Sequence, residues 1–126
     1  MKAINIFSAL FLFLLSFAHA QMDDKFYQPG KKLKPLEFSK VEYIAVPVEK
    51  DTVTAYVVKP ETKKIKKTIF FFHGAGGNVT TYQYITKPLV DAGFQVVMID
   101  FRGYGKSTGK PTHLNVAADG QMLFDQ

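Results

Sequence analysis

Residues 72–78 read Phe-His-Gly-Ala-Gly-Gly-Asn and follow a short apolar run, Ile69 to Phe72. Such a run is typical of a strand that is covered on both faces in a parallel sheet. Glycines at the end of the strand permit a sharp turn and allow a ligand to approach the backbone closely. The backbone N–H groups and the start of the following helix would favour a negatively charged oxygen. The segment therefore predicts an anion-binding loop, although a tight strand-to-helix turn without a ligand fits the same residues.

A second motif directly follows the next predicted strand, where residues 100–107 read Asp-Phe-Arg-Gly-Tyr-Gly-Lys-Ser. The combined order is strand, His-Gly-x-Gly-Gly, helix, strand, Asp-x-Arg-Gly-x-Gly-x-Ser. In this order the sequence resembles the α/β-hydrolase superfamily, and most of all its serine-hydrolase branch of lipase-like, esterase-like and aminopeptidase-like members. The resemblance extends from about Val41 to Gln126. It implies that Asp100 and Arg102 shape the loop beside the site.

The resemblance also implies roles for the glycine loop. The backbone N–H of Ala75 would donate to an oxyanion hole, which stabilises the charge that develops on the acyl oxygen during hydrolysis. Gly74 and Gly76 would support that loop. His73 would brace it without acting as the catalytic base.

The nucleophile of a serine hydrolase is not identified in these residues. Residues 105–109 (Gly-Lys-Ser-Thr-Gly) match the Gly-x-Ser-x-Gly pattern of the nucleophile turn. However, no strand leads directly into Ser107, and Pro111 follows where a helix should begin. We therefore expect Ser107 to be a structural residue of a glycine-rich surface loop.

The catalytic acid and base are not identified either. After the first twenty residues, the only histidines are His73 and His113. Both precede the expected positions, because the order in this fold is Ser, then Asp or Glu, then His. We interpret the sequence as the N-terminal fragment of an α/β-hydrolase, with an incomplete domain over residues 39–126 and no triad Ser, Asp or His. The fragment itself is expected to be inactive.

The remaining pattern predicts the elements that carry these motifs. Val41 to Val48 is rich in β-branched and aromatic residues and predicts a strand, which Pro47 places at a sheet edge or strand end. Residues 52–58 alternate, with apolar side chains on one face, and would complete an antiparallel hairpin. A parallel strand–helix–strand unit follows, and Pro88 is expected to kink or divide its helix. The predicted class is α/β.

The first twenty residues have the three-part layout of a secretory signal peptide. Lys2 precedes an apolar run over residues 6–17, and Ala18-His19-Ala20 has the small-x-small form of a cleavage site. We predict cleavage after Ala20 and a secreted or periplasmic protein without a stable membrane anchor. Residues 21–38 are predicted to form a loose N-terminal arm.

Composition limits the other possibilities. The sequence has 126 residues, of which 47% are hydrophobic and 21% charged, which indicates one globular domain. The absence of cysteine excludes disulfides, thiolate metal sites and a cysteine nucleophile. His73, His113 and Asp100 do not have a metal-ligand spacing, and neither a metal nor another cofactor is expected.

The expected partner is a small-molecule ester or amide substrate of the complete protein. The basic connector over residues 59–67 contains no aromatic residue between its lysines, so it predicts no nucleic-acid binding and is expected to be solvated. The sequence does not determine the oligomeric state. The alternative is an exported, non-catalytic binding protein that uses Gly74 to Asn78 as a cradle for an anion or another ligand.

Overall fold

The computed structural model describes residues 10–14 and 22–126. The predicted cleavage site after Ala20 lies outside the described residues, so the signal peptide stays a prediction. Within the two described ranges, no helix has both the length and the apolar character that a membrane span needs.

The main elements are, in chain order, β1 (Gln28–Pro29), β2 (Val41–Val48), β3 (Asp51–Val58), β4 (Thr68–Phe72), β5 (Gly76–Gly77), a 3-10 turn (Val79–Tyr82), α1 (Gln83–Asp91), β6 (Gln95–Asp100) and α2 (His113–Phe124). A short helical turn over residues 22–26 precedes β1.

Four strands form one sheet in the order β2-β3-β6-β4. The pairs β2–β3 and β3–β6 are antiparallel, and β4–β6 is parallel across the connection that contains α1. The predicted hairpin, the parallel strand–helix–strand unit and the α/β class are therefore confirmed. Pro47 lies on the edge strand β2, where its missing N–H leaves no gap inside the sheet.

The sheet has an apolar cluster on each face. One cluster joins β3 and β6 to the 3-10 turn and α1, and it contains Tyr56, Val58, Val79, Val90, Val96 and Met98. The other joins the same strands to α2, and it contains Val48, Val53, Ala55, Ile99 and Leu123. Val53 and Ala55 share one face of β3, as the alternation predicts, and Tyr56 and Val58 lie on the other face. The alternation did not indicate that this second face is also buried, which follows from helices on opposite sides of the sheet.

Strand β4 is only partly covered, and helix α1 is not divided at Pro88. In the described residues only β6 pairs with β4, so one edge of this strand has no strand partner. Ile69 and Phe71 pack against one apolar cluster and Phe70 against the other, so both faces are partly covered, whereas Phe72 is 40% exposed. Helix α1 continues through Pro88 to Asp91 and is not divided there. Gly93 then ends it with a φ of 96°, as its position after the helix predicts.

A candidate oxyanion loop

The glycine loop begins where β4 ends and turns into the short strand β5. Gly77 has a φ of 74°, a conformation that residues with a Cβ rarely adopt. A Cβ at this position would also lie 3.0 Å from the Thr81 Cβ. Glycine at position 77 therefore lets the chain turn tightly into the 3-10 turn.

Four successive carbonyls of this loop each accept a hydrogen bond from the protein. The pairs are Gly74 O with His73 Nδ1 (2.7 Å), Ala75 O with Tyr104 Oη (2.6 Å) and Gln28 N (2.8 Å), Gly76 O with Tyr82 Oη (3.0 Å), and Gly77 O with Gly30 N (2.7 Å). The loop thus turns its carbonyl oxygens toward partners in the fold.

This arrangement fixes the direction of the Ala75 amide. The C=O and N–H of a trans peptide point to opposite sides, so holding the Gly74 carbonyl at His73 directs the Ala75 N–H away from that ring. In the described part of the chain, the Ala75 N–H donates no hydrogen bond to another group. The geometry is compatible with an oxyanion donor, and that role stays a prediction.

His73 is buried and has both ring nitrogens engaged. Nδ1 donates to Gly74 O, and Nε2 accepts from the Phe101 N–H at 3.3 Å. The ring lies 4.4 Å from the Tyr104 ring, centroid to centroid. Burial lowers the pKa of His73. A neutral ring that is hydrogen-bonded on both sides braces the loop and has no free nitrogen with which to accept a proton from a nucleophile.

Asp100 lies at the end of β6 and is fully buried. Its Oδ1 accepts from the Val79 N–H at 2.8 Å, so it caps the 3-10 turn that follows the glycine loop. Its Oδ2 and the Tyr56 hydroxyl are both buried without a hydrogen-bond partner in the described residues. Burial raises the pKa of Asp100 to about 6. The pKa of Tyr56 is also raised, mainly by burial and to a smaller extent by the negative charge of Asp100.

Asp100 and His73 are expected to give opposite pH dependences of stability. The pKa of His73 is lowered from 6.5, so the stability that its neutral ring contributes to the fold is lost as the pH falls below that value. The pKa of Asp100 is raised from 3.8 to about 6, so the free energy of unfolding decreases as the pH rises between these values.

We therefore expect the substitution Asp100→Asn to gain stability relative to the parent as the pH rises from about 4 to about 7. The asparagine oxygen can still accept from Val79. Urea unfolding of both proteins at the two pH values measures this difference. A constant or decreasing gain would contradict the raised pKa of Asp100.

Ser107 is 1% exposed and has a structural role. Its Oγ donates to the Asp100 carbonyl at 2.5 Å and accepts from the Thr54 N–H at 2.8 Å. The hydroxyl thus bridges the Thr54 N–H of β3 and the carbonyl of Asp100, the last residue of β6. These contacts agree with the expectation that Ser107 is not a nucleophile, although its surroundings are buried and not an exposed surface loop.

Substitution of Ser107 by alanine is expected to destabilise the fold by about 1–3 kcal/mol, because the buried Thr54 N–H loses its acceptor. Chemical denaturation measures this loss. Thr108→Ser, which keeps a hydroxyl near the Thr52 amide, is a nearby control and should change stability by less. Equal stability of parent and Ser107→Ala would show that the hydroxyl contributes nothing.

Arg102 connects three parts of the fold. Its guanidinium makes two hydrogen bonds to the buried Asp119 of α2, at 2.7 and 2.8 Å, and one to Glu49 of the hairpin turn at 2.7 Å. The hydrogen bonds to Asp119 raise the pKa of Arg102. Arg102 therefore ties the loop after β6 to α2 and to the hairpin turn.

Sequence reasoning missed several of these partners. Asp119 shares a helix face with the apolar Leu123 four residues later, and that signal could have indicated a buried, paired carboxylate. The hydroxyl of Tyr82 donates to Gly76 O, and no sequence pattern indicated this contact. In the described residues, no three His, Asp or Glu side chains are grouped as a metal site requires.

Comparison with known proteins agrees with this architecture. Residues 63–122 match the family described as serine aminopeptidase, S33. The protein bem46 of Schizosaccharomyces pombe is 32% identical over 96 residues, which cover 72% of this chain and 32% of that protein.

Solved structures give the same fold at low sequence identity. An alpha-beta hydrolase from Vibrio vulnificus superposes with a TM-score of 0.56 and 18% identity, over 69% of this chain and 29% of the other. The esterase Pf2001 of Pyrococcus furiosus superposes with a TM-score of 0.52 and 18% identity, over 79% of this chain and 43% of the esterase. The chain therefore spans about a third of the length of bem46 and less than half of each of these structures. The sequence motifs, the order of the strands and the similarity to these proteins together show that the chain belongs to the α/β-hydrolase superfamily.

Proposed function

We propose that these residues form the oxyanion-loop part of an exported serine hydrolase that acts on an ester or amide bond. The nucleophile, acid and base would come from residues outside 1–126. The observation that carries the proposal is the Ala75 N–H, which has no acceptor in the described residues. Its direction is set because the carbonyl of the same peptide, Gly74 O, is held by His73.

The chemistry follows from this direction of the amide. Attack of a serine oxygen on an acyl carbonyl places negative charge on the carbonyl oxygen, and a fixed N–H stabilises that charge without reorganising. In this fold a second N–H comes from the residue after the nucleophile. Ala75 would supply the first donor, His73 would hold its peptide, and Asp100 would hold the turn behind it.

The 126-residue chain by itself is expected to show no detectable hydrolysis. Loss of the nucleophile or base of a serine hydrolase costs on the order of 10⁶ in rate, far more than one oxyanion donor contributes. Release of p-nitrophenol from its acetate ester measures this for the chain and for the complete gene product. Burst release from the chain alone, abolished by Ser107→Ala, would contradict the assignment.

Activity of the complete gene product is the positive part of the test. Hydrolysis by a serine that lies outside residues 1–126 supports the proposal. A complete gene product that binds anions and releases no p-nitrophenol would favour the non-catalytic binding protein. Export rests on the sequence of the first twenty residues, and mass spectrometry of the exported protein should find Gln21 as its first residue.

A further inference from the structure

The N-terminal arm is bound to the candidate oxyanion loop and to the 3-10 turn and helix that follow this loop. Strand β1 pairs in parallel with β5, with Gln28 opposite Gly76 and Pro29 opposite Gly77. Side-chain contacts extend this pairing, and they join Asn78 to Gly30 and Lys32, Lys34 to Thr80, and Gln83 to Pro35 and Glu37. The expectation of a loose arm is therefore wrong for this segment.

Asn78 is the centre of this contact and is 1% exposed. Its Nδ2 donates to the carbonyls of Gly30 and Lys32, both at 3.0 Å. Its Oδ1 accepts from Thr80 N at 3.0 Å and from Thr80 Oγ1 at 2.6 Å. One side chain thus ties the arm to the start of the 3-10 turn, and each of its polar atoms has a partner.

Strand β5 has two residues, and β1 is its only strand partner in the described residues. A strand this short has little stability of its own, because ordering its backbone costs conformational entropy that few contacts offset. The arm supplies two of the hydrogen bonds that hold the loop carbonyls, at Ala75 and Gly77. It lies before residues 63–122, the part of the chain that matches the family.

We propose that residues 28–37 are a positioning strap for the oxyanion loop. The strap holds the carbonyl side of the loop, so that the amide side keeps its direction when charge develops on a substrate. The effect on the loop's conformation follows from the contacts alone, whereas the effect on catalysis rests on the proposed function.

The substitution Gln28→Pro tests the strap, because proline lacks the N–H that reaches Ala75 O. Gln28→Ala is the matched control, since it keeps the N–H and removes an exposed side chain. Hydrogen exchange of the full chain, followed by mass spectrometry, compares the peptide over residues 74–82 with β3. We expect Gln28→Pro to speed exchange in residues 74–82 by roughly fivefold or more, as loss of about one hydrogen bond predicts, and Gln28→Ala to leave it unchanged.

Two results would overturn the strap. One is equal exchange over residues 74–82 in parent, Gln28→Pro and Gln28→Ala. The other is an equal acceleration in β3, which would mean that the arm supports the whole fold and not the loop in particular. Gly30→Ala is a milder variant, because its Cβ would meet the Gly77 Cα at 3.1 Å and press the arm away from the loop without removing an N–H.

A kinetic measurement separates the strap from the proposed function. In the complete hydrolase, Gln28→Pro should lower kcat and leave KM nearly unchanged, and Gln28→Ala should change neither. An inactive parent would contradict the proposed function while the exchange data still decide the strap. An active parent whose kcat is insensitive to Gln28→Pro would overturn the role of the strap in catalysis.

Discussion

With the proposed function, replacing Ala75 by proline is expected to lower kcat of the complete protein by about 10²–10³, the usual effect of removing one oxyanion donor. Proline removes the N–H, and this N–H has no acceptor among the described residues, so no other hydrogen bond is lost with it. The hydrogen bond between His73 and the Gly74 carbonyl does not involve the Ala75 N–H, so we expect the substitution to leave it in place. The expected change is therefore in kcat, with little change in KM.

Ala75→Ser provides the matched control, because it enlarges the side chain and retains the amide. Steady-state kinetics on p-nitrophenyl acetate, together with thermal unfolding of each variant, separate loss of the donor from loss of the fold. If Ala75→Ser and Ala75→Pro lower kcat equally, the side chain and not the amide matters at this position. If neither lowers kcat, another N–H serves as the donor.

Replacing Arg102 by alanine is expected to destabilise the protein by about 3–5 kcal/mol, because it leaves the buried Asp119 carboxylate without its partner. Asp119 is 3% exposed, so water cannot take the place of the guanidinium without opening the contact with α2. This is a large part of the stability of a small domain, which is typically about 5–15 kcal/mol. Urea unfolding measures the change.

Two control variants show which carboxylate matters. Glu49→Ala removes the exposed partner of Arg102 and should cost less than about 1 kcal/mol. The double variant Arg102→Met with Asp119→Leu removes both buried charges and should recover most of the lost stability. A small effect of Arg102→Ala, or an effect of Glu49→Ala of the same size, would show that the buried pair contributes little.

The sequence alone predicted the architecture well. The β-branched segment Val41–Val48 and the apolar run before His73 are local signals, and both form strands where they were expected. The two glycine-containing motifs indicated the superfamily, because each requires special backbone geometry at the end of a strand. The absence of a strand directly before Ser107 and of a helix directly after it predicted a structural residue, and its hydroxyl is buried and hydrogen-bonded to Thr54 and Asp100.

Tertiary structure decided what each motif contacts. The partners of the glycine loop come from distant parts of the chain, with Asn78 and Gly30 separated by 48 residues and Tyr104 and Ala75 by 29. The N–H groups of Gln28 and Gly30 have no sequence signature, because every residue except proline has one. Pattern alone therefore described the arm as loose, although it is hydrogen-bonded throughout residues 28–37.

Burial was likewise decided by the fold. Residues 52–58 alternate in sequence, and helices on both sides of the sheet bury β3 on both faces. The apolar run at β4 is partly covered on both faces, while Phe72 at its end is 40% exposed, because burial depends on which neighbours pack against each residue. The sequence by itself determined the elements and the backbone turns, since these depend on local sterics and periodicity. The Gly74 carbonyl, whose peptide carries the Ala75 N–H, is held by the adjacent His73. The next three carbonyls of the loop depend on donors from the arm and from two tyrosines, and only the tertiary structure brings those donors to the loop.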